Sequence, residues 1–535
     1  MIERTVQAFT HHVNATIQTS PLLFVSYVLA LLVLIYVGTT ELYRFRVRIP
    51  DFPGPTGLPV IGNIHQIRVN AAEQYRIWAK THGPVFQISL GTTPVIVVNT
   101  AASAREIFGH NSQALASRPE FYTFHRVVSS TAGTTVGTSP YSDSLKRRRK
   151  GAAAALNKPS TRDFVREFLE DGRGGKGKVD PLPIVQRLSL SLALTLNWGV
   201  RMKSREEGLF GEIVEVEEEV SKFRSTTGNL QDYVLVLRWV PGWLKELVGG
   251  GSSAKAADYR RRRDVYLSKL NGDLEKRLEE GWEGKCIQAN VMRDPEAKLN
   301  EEELRSISLT MLSGGLDTLT TLVAWSLALL AERTDIQDTA IAEIRKVYDL
   351  SKDPLCDAYD DQSIPYIVAL VKELLRYYTV LRLALPRATI KDILWEGKKI
   401  PAGSVVFLNA WACNMDEAVW KDPEVFRPER WLAEEAHDAP MFTYGLGYRM
   451  CAGSLLANRE MYTIYLRLLA AFRIEDVEAE DGGEMSTHPV RGVIDPTQLV
   501  SVPKRYKVRV VPRDAEALRR TLDEAEADGE KEGLS

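Results

Sequence analysis

The sequence predicts a mainly α chain with small β-sheets (α+β), a single large domain behind an N-terminal membrane-spanning helix. Three observations carry this expectation. Stretches with apolar residues at helical spacing far outnumber short β-branched runs. One of them, Glu301 to Glu332, is apolar almost all round between Leu309 and Leu330, which requires burial in the middle of a large body. Pro21 to Gly38 reads PLLFVSYVLALLVLIYVG, an uncharged run of about 18 residues, near the minimum for crossing a bilayer core as a helix.

Composition agrees with a large folded body. The chain has 535 residues, 44% hydrophobic and 26% charged, and 68 basic against 70 acidic residues give a net charge of −2. That balance excludes a nucleic-acid binder held mainly by electrostatics and a strongly charged disordered chain. A length of this kind suits three or four domains of roughly 150 residues, yet no linker divides the body. The four cysteines, Cys286, Cys356, Cys413 and Cys451, form no CxxC pair, so neither a disulfide framework nor a structural zinc site is expected, and the folded part faces a reducing compartment.

A cleaved signal peptide would carry its positive charge before the apolar run. Here Arg44, Arg46 and Arg48 follow it, which favours a retained anchor. By the positive-inside rule those arginines place the body in the cytoplasm and residues 1–20 in the lumen. Asn14-Ala15-Thr16 is then a formal glycosylation sequon, expected to stay unoccupied so near the membrane. Residues 39–59 form a basic and proline-rich linker in which Pro50, Pro53, Pro55 and Pro59 make either a stiff spacer or an ordinary irregular connection.

In the body, residues 60–513, Val85 to Leu90 and Pro94 to Asn99 predict a hairpin. Helical patterns follow over Ala101 to Phe108, Lys146 to Leu156, Leu182 to Trp198, Glu212 to Arg224, Ala257 to Glu280, Glu301 to Glu332, Asp335 to Val347, Ile364 to Tyr378 and Ala452 to Phe472. Short strands are expected near Thr389 to Leu394 and Ser404 to Leu408, and surface loops at Asp171 to Lys178 and Gly249 to Ser253. The acidic tail 514–535 is expected to fray.

The most informative stretch is Phe442-Thr-Tyr444-Gly445-Leu446-Gly447-Tyr448-Arg449-Met450-Cys451-Ala452-Gly453, just before a helix. A cysteine there feels the positive end of the helix dipole and unpaired backbone N–H groups, both of which favour a thiolate. Gly447 and Gly453 allow backbone to approach a flat ligand, and the Arg449 fork suits a carboxylate. For a lone cysteine the ordinary reading is a small buried hydrophobe, and it is the reading of Cys286, Cys356 and Cys413. Three further motifs accompany the loop. Glu373-Leu-Leu-Arg376 puts opposite charges at i and i+3, where Arg430 can complete a triad. Gly314-Gly315-Leu316-Asp317-Thr318 places glycines, an acid and an alcohol inside the long apolar helix, either to organise water for proton delivery or as a kink whose threonine bonds back to its own turn. Ser144-Leu145-Lys146-Arg147-Arg148-Arg149-Lys150 is a basic cluster opening a helix, alternatively a solvated face.

Together these residues resemble the haem-thiolate monooxygenases, the cytochrome P-450 superfamily. Tyr444 stands at the usual phenylalanine, and Gly447, Arg449, Cys451 and Gly453 match directly. The resemblance implies the cytochrome P-450 fold, haem b with Cys451 as its thiolate ligand, and a structural triad of Glu373, Arg376 and Arg430. It implies oxygen activation by Asp317 and Thr318, and haem propionate contacts by Arg149, Arg387 and Arg449. Leu145 departs from the family's tryptophan at that position. Ile61-Gly-Asn-Ile64-His65-Gln-Ile67, Thr131-Ala-Gly-Thr-Thr-Val-Gly-Thr-Ser-Pro140, Arg449-Met-Cys-Ala-Gly453 and Ala457-Asn-Arg-Glu460 further resemble the fungal phenylacetate and 3-hydroxyphenylacetate hydroxylases, although Leu446 and Tyr448 stand where small residues are usual in that group.

What this implies is monooxygenation with O2 and NADPH, either ring hydroxylation of a small aromatic acid such as phenylacetate or oxidation of a larger secondary-metabolite intermediate. Electrons would come from a separate membrane-bound NADPH-cytochrome reductase at the endoplasmic reticulum membrane, with no nucleic-acid partner. An aromatic acid would need a cationic or hydrogen-bonding partner, for which Arg382 and His125 are the candidates. A haem-thiolate isomerase or dehydratase would need neither reductase nor proton relay, and the Asp317-Thr318 pair argues against it. A membrane-anchored haem scaffold would bind haem without NADPH-driven oxidation.

Overall fold

Helix signals and turn chemistry place most of the chain's elements, and the computed structural model describes them over residues 21–129, 135–153, 161–225, 228–241, 253–284, 286–294, 299–357, 360–436, 438–476 and 486–531. At the centre lies the helix Glu301–Glu332. Asn300 opens it with a reciprocal capping box: its side-chain oxygen accepts from the Glu303 N–H at 2.8 Å, and its own N–H donates to the Glu303 carboxylate at 3.1 Å. The helix packs along Pro181–Trp198, which Asp180 caps and Gly199 ends in the left-handed conformation. Near its far end Trp325 stacks on Tyr378 at 4.6 Å and donates its indole N–H to the Ser501 carbonyl.

The strands Val85–Leu90 and Thr93–Val98 pair as the expected hairpin. Val405–Leu408 adds to it in parallel, and the short strand Arg387–Ala388 forms the far edge. That edge carries Arg387 to the cysteine loop. A second sheet joins Lys178–Val179, Val508–Pro512 and Phe472–Glu475, and Ile393–Trp395 pairs with Lys398–Ile400.

Several expectations change. The expected strand from Thr389 to Leu394 is a loop over residues 389–392 with strands on either side. Thr389 still exchanges backbone bonds with Gly403 and Ser404, but Ile390 N–H reaches across to the Ala114 carbonyl at 2.7 Å, which turns the chain out of the sheet before Ile393. Residues 39–47 are not linker: the helix runs Pro21–Val47, since no breaker stops it and Glu41 pairs with Arg44 at 2.8 Å. Its end is tied to the proline segment, with Arg44 donating to the Leu58 carbonyl at 3.0 Å and Val60 N–H to Glu41 at 2.9 Å. Gln87 then holds Ile49, Phe52 and Pro53 against the sheet. The chain leaves this helix as a braced connection. The acidic tail also orders: Ala515–Lys531 is a helix whose Leu518 and Leu522 enter the core beside Phe164 and Phe168. Ala101 to Phe108 divides into Ala101–Ala104 and the wider π-helical turn Arg105–His110. Asn14, residues 154–156 and 249–252, and residues 131–134 of the Thr131 to Pro140 stretch lie outside the described residues.

The helix Pro21–Val47 is long and apolar enough to cross a membrane, and its apolar side chains from Leu22 to Leu34 are exposed. Glu301–Glu332 passes the same test of length and composition but is a core helix, with 78% of its apolar window buried.

Candidate functional site

The cysteine loop is pinned from behind by the helix Pro365–Tyr378. Glu373 accepts both forks of Arg376, at 2.7 and 2.9 Å, the Arg430 Nε at 3.1 Å, the Trp431 indole at 2.9 Å and the Arg427 backbone N–H at 2.9 Å. Glu373 and Arg376 are fully buried, so each charge depends on this set of partners. Arg376 continues to the carbonyls of Asn414 and Pro423, and the Asn414 amide accepts the Phe442 N–H at 3.0 Å and donates to Thr443 at 2.9 Å. A line of hydrogen bonds therefore runs from the charged triad to the start of the loop.

Within the loop, Cys451 N–H donates to the Tyr444 carbonyl at 2.9 Å and Met450 N–H to Gly447 at 2.9 Å. Gly447 is at φ +63°, and a β-carbon there would stand 2.3 Å from the Phe108 carbonyl, so only glycine lets the loop seat on the Arg105–His110 turn. Cys451 is exposed and stands just before the helix Ser454–Ala471, at its positive end. The other three cysteines are buried, and burial pushes their thiols up, Cys356 to about 12. Only Cys451 has the setting of a metal ligand.

Arg387 and Arg449 converge beside this loop. Arg387 donates to the Leu446 carbonyl at 3.1 Å and to Leu115 at 3.5 Å, and Arg449 to the carbonyls of Ala116, Val136, Ser139 and Gly137 at 2.8 to 3.2 Å. Arg118, absent from the motif-based reading, shares the Gly137 carbonyl and reaches Leu385 and Pro386. No charged companion marked it in sequence. The Arg149 side chain lies outside the described residues. Its neighbours reach the long helix: exposed Arg147 pairs with Glu303 at 2.6 Å and buried Arg148 donates to Ser306 at 2.6 Å, so part of the basic cluster clamps that helix. Leu145 is fully buried in a cluster with Leu456 and Ile307, which brings the basic helix, the long helix and the start of the post-cysteine helix together.

In the long helix, Gly314 is exposed amid buried neighbours. The Thr318 hydroxyl donates back to the Gly314 carbonyl at 2.6 Å. Asp317 turns to another face, where Arg224 approaches at 3.4 Å. Burial pushes Asp317 up to about 7, the Arg224 charge opposing and nearby Glu217 reinforcing the shift. It lines a cavity of about 220 Å³ whose wall mixes polar Gln186, Glu218 and Ser221 with apolar Leu182, Val214 and Val500. Beside it, Ser313 bonds buried Glu217, which also accepts from Tyr266. Arg224 closes a helix distant in sequence, so no spacing rule pointed to it. His125 has both ring nitrogens committed, Nδ1 to Phe121 at 2.9 Å and Nε2 to the Thr138 carbonyl at 3.2 Å.

The donor set fits a thiolate-ligated haem: an exposed cysteine at a helix N-terminus, glycines at the points of close approach, and two buried guanidiniums beside the same loop. Comparison with known proteins agrees. The family model described as Cytochrome P450 matches residues 52–509. The chain is 60% identical to 3-hydroxyphenylacetate 6-hydroxylase of Emericella nidulans over 95% of its length and 97% of that protein's. It is 40% identical to phenylacetate 2-hydroxylase of the same organism, over 92% and 95% of the two chains. To a cytochrome P450 monooxygenase of Mycosarcoma maydis it is 39% identical, over 88% and 89%.

Proposed function

The chain belongs to the cytochrome P450 family, and from that premise we propose that this monooxygenase hydroxylates the ring of a small aromatic acid of the arylacetate class. The observation that carries the substrate class is the 60% identity, over nearly the whole chain, with a 3-hydroxyphenylacetate 6-hydroxylase. In such a reaction one oxygen atom of O2 enters the ring and the other leaves as water, with two electrons and two protons consumed. NADPH supplies the electrons through a separate membrane-bound reductase, and the helix Pro21–Val47 holds the body at the endoplasmic reticulum membrane.

Thiolate-ligated haem, when bound, supplies the chemistry that cleaves the O–O bond. The chain's own residues do the rest. Cys451 would hold the haem iron through its thiolate, positioned by its bond to Tyr444 and by the glycines of the loop. Arg149, Arg387 and Arg449 would receive the propionates. Asp317 exchanges protons near neutrality because burial raises it to about 7, and Arg224 and the cavity beside it connect it to further donors. Thr318 passes the proton inward from a hydroxyl held at Gly314.

Membranes carrying this chain and a reductase, supplied with NADPH and 3-hydroxyphenylacetate under labelled dioxygen, test this reading. The expected product carries one labelled oxygen on the ring, para to the existing hydroxyl. Absence of ring hydroxylation by protein with intact haem would contradict it.

A further inference from the structure

An arylacetate has one charged end, and a pocket that prefers it must offer that end a buried cation with a free donor. Arg382 meets this description, and its cavity is lined by chain neighbours of residues in both parts of the site already described. Arg382 is 93% buried by its 7% relative exposure. It stacks on Trp411 at 4.9 Å and donates one terminal nitrogen to the Pro489 carbonyl, which fixes the plane of the fork. Its Nε has no hydrogen-bond partner. On the same cavity the Asn70 side-chain nitrogen is likewise buried without a partner, while its oxygen caps the helix Ala71–His82 by accepting from Glu73 N–H at 3.2 Å.

The cavity is about 50 Å³, room for a carboxylate and a water but not for an aromatic ring. Its wall otherwise includes Val380, Leu383, Ala384 and Leu499, apolar surface of the kind a ring would extend along. Ala384 stands three residues before Arg387, which bonds the cysteine loop, and Ser225 follows Arg224, which pairs with Asp317. Two carboxylates lie near. Glu73 is already held by Arg76 at 2.8 Å and by the Trp411 indole at 2.8 Å, and Asp495 on the cavity wall is occupied by the Thr497 N–H and hydroxyl. Burial draws the Arg382 guanidinium down to about 10, against the Glu73 charge, so it stays cationic at neutral pH. His125, the other candidate, has no nitrogen left for a substrate.

We propose that Arg382, assisted by the Asn70 amide, receives the substrate carboxylate and thereby orients the ring toward the Cys451 face. The proposal rests on the arylacetate reading above and names the group that recognises the acid. An unpaired buried donor loses hydration without compensation, and a carboxylate restores both the bond and the charge balance.

Calorimetric titration of the purified, haem-loaded full chain with 3-hydroxyphenylacetate and with its neutral amide tests it. The wild type is expected to bind the acid roughly 10-fold to 100-fold tighter than the amide, the range for bonds to charged groups. Arg382→Gln is expected to lose that preference, with the acid weakened by a similar factor and the amide changed less than about threefold. Arg382→Lys, which keeps the charge without the fork, is expected to lie between. Equal binding of acid and amide by the wild type, or undiminished acid preference in Arg382→Gln, overturns the proposal even if the wild type hydroxylates the acid. Wild-type protein that neither binds nor hydroxylates the acid overturns the arylacetate reading, and this proposal with it.

Discussion

Asp317 is a carboxylate whose surroundings work against its charge. Its ordinary value of 3.8 is raised by burial to about 7, so between these values the folded state keeps a proton that the unfolded chain has released. The stability it contributes is therefore fully present below about 3.8 and is lost as pH rises through about 7. Asp317→Asn removes that ionisation. The variant is expected to melt above the wild type at pH 8 and together with it near pH 4, as followed by circular dichroism. A constant difference across that window would mean that Arg224 compensates the charge fully. Cys451, Asp317 and Thr318 could be picked out from sequence because each sits in a short motif whose spacing carries its chemistry. Arg224 and Arg118 could not, because each reaches its partners from a distant segment through contacts that only the fold creates.

Among the elements, the helix Pro365–Tyr378 shows what a buried charge requires. Glu373 neutralises two guanidiniums and also accepts an indole and a backbone N–H, so its removal strands several partners at once. Breaking a buried pair from one side costs about 3–5 kcal/mol. Glu373→Gln is expected to lower the melting temperature and to sharply reduce the haem-loaded fraction on purification, while the isosteric amide leaves the helix itself intact by circular dichroism. The start of the longest helix was legible in the sequence, because Asn300 and Glu303 form a capping box, a local pattern. Sequence pattern misjudged Thr389 to Leu394, where β-branched residues suggested a strand but the Ile390 N–H turns to the Ala114 carbonyl. It also missed the order of Ala515–Lys531, whose few apolar residues look dispensable until the helix Arg162–Asp171 covers them. At Thr389 to Leu394 tertiary contacts overrode local propensity, whereas the tail keeps its helical propensity and is ordered by the helix that covers it.

At the scale of the whole molecule, the site is assembled from parts that meet only in the folded chain. The Arg387–Ala388 edge strand, the Glu301–Glu332 core helix and the cysteine loop each contribute a wall, and the triad at Glu373 braces the loop from behind. The N-terminal helix is joined to this body through Glu41 and Arg44, and Gln87 ties the segment that follows to the sheet. All of this converges on one ligand position. The most direct test is the reduced, carbon-monoxide difference spectrum of membranes expressing the full chain beside its Cys451→Ala variant. A red-shifted Soret band in the wild type, absent from a variant that still folds, is the expected result. A wild type without that band, or a variant that keeps it, would contradict the assignment of Cys451 as the haem ligand.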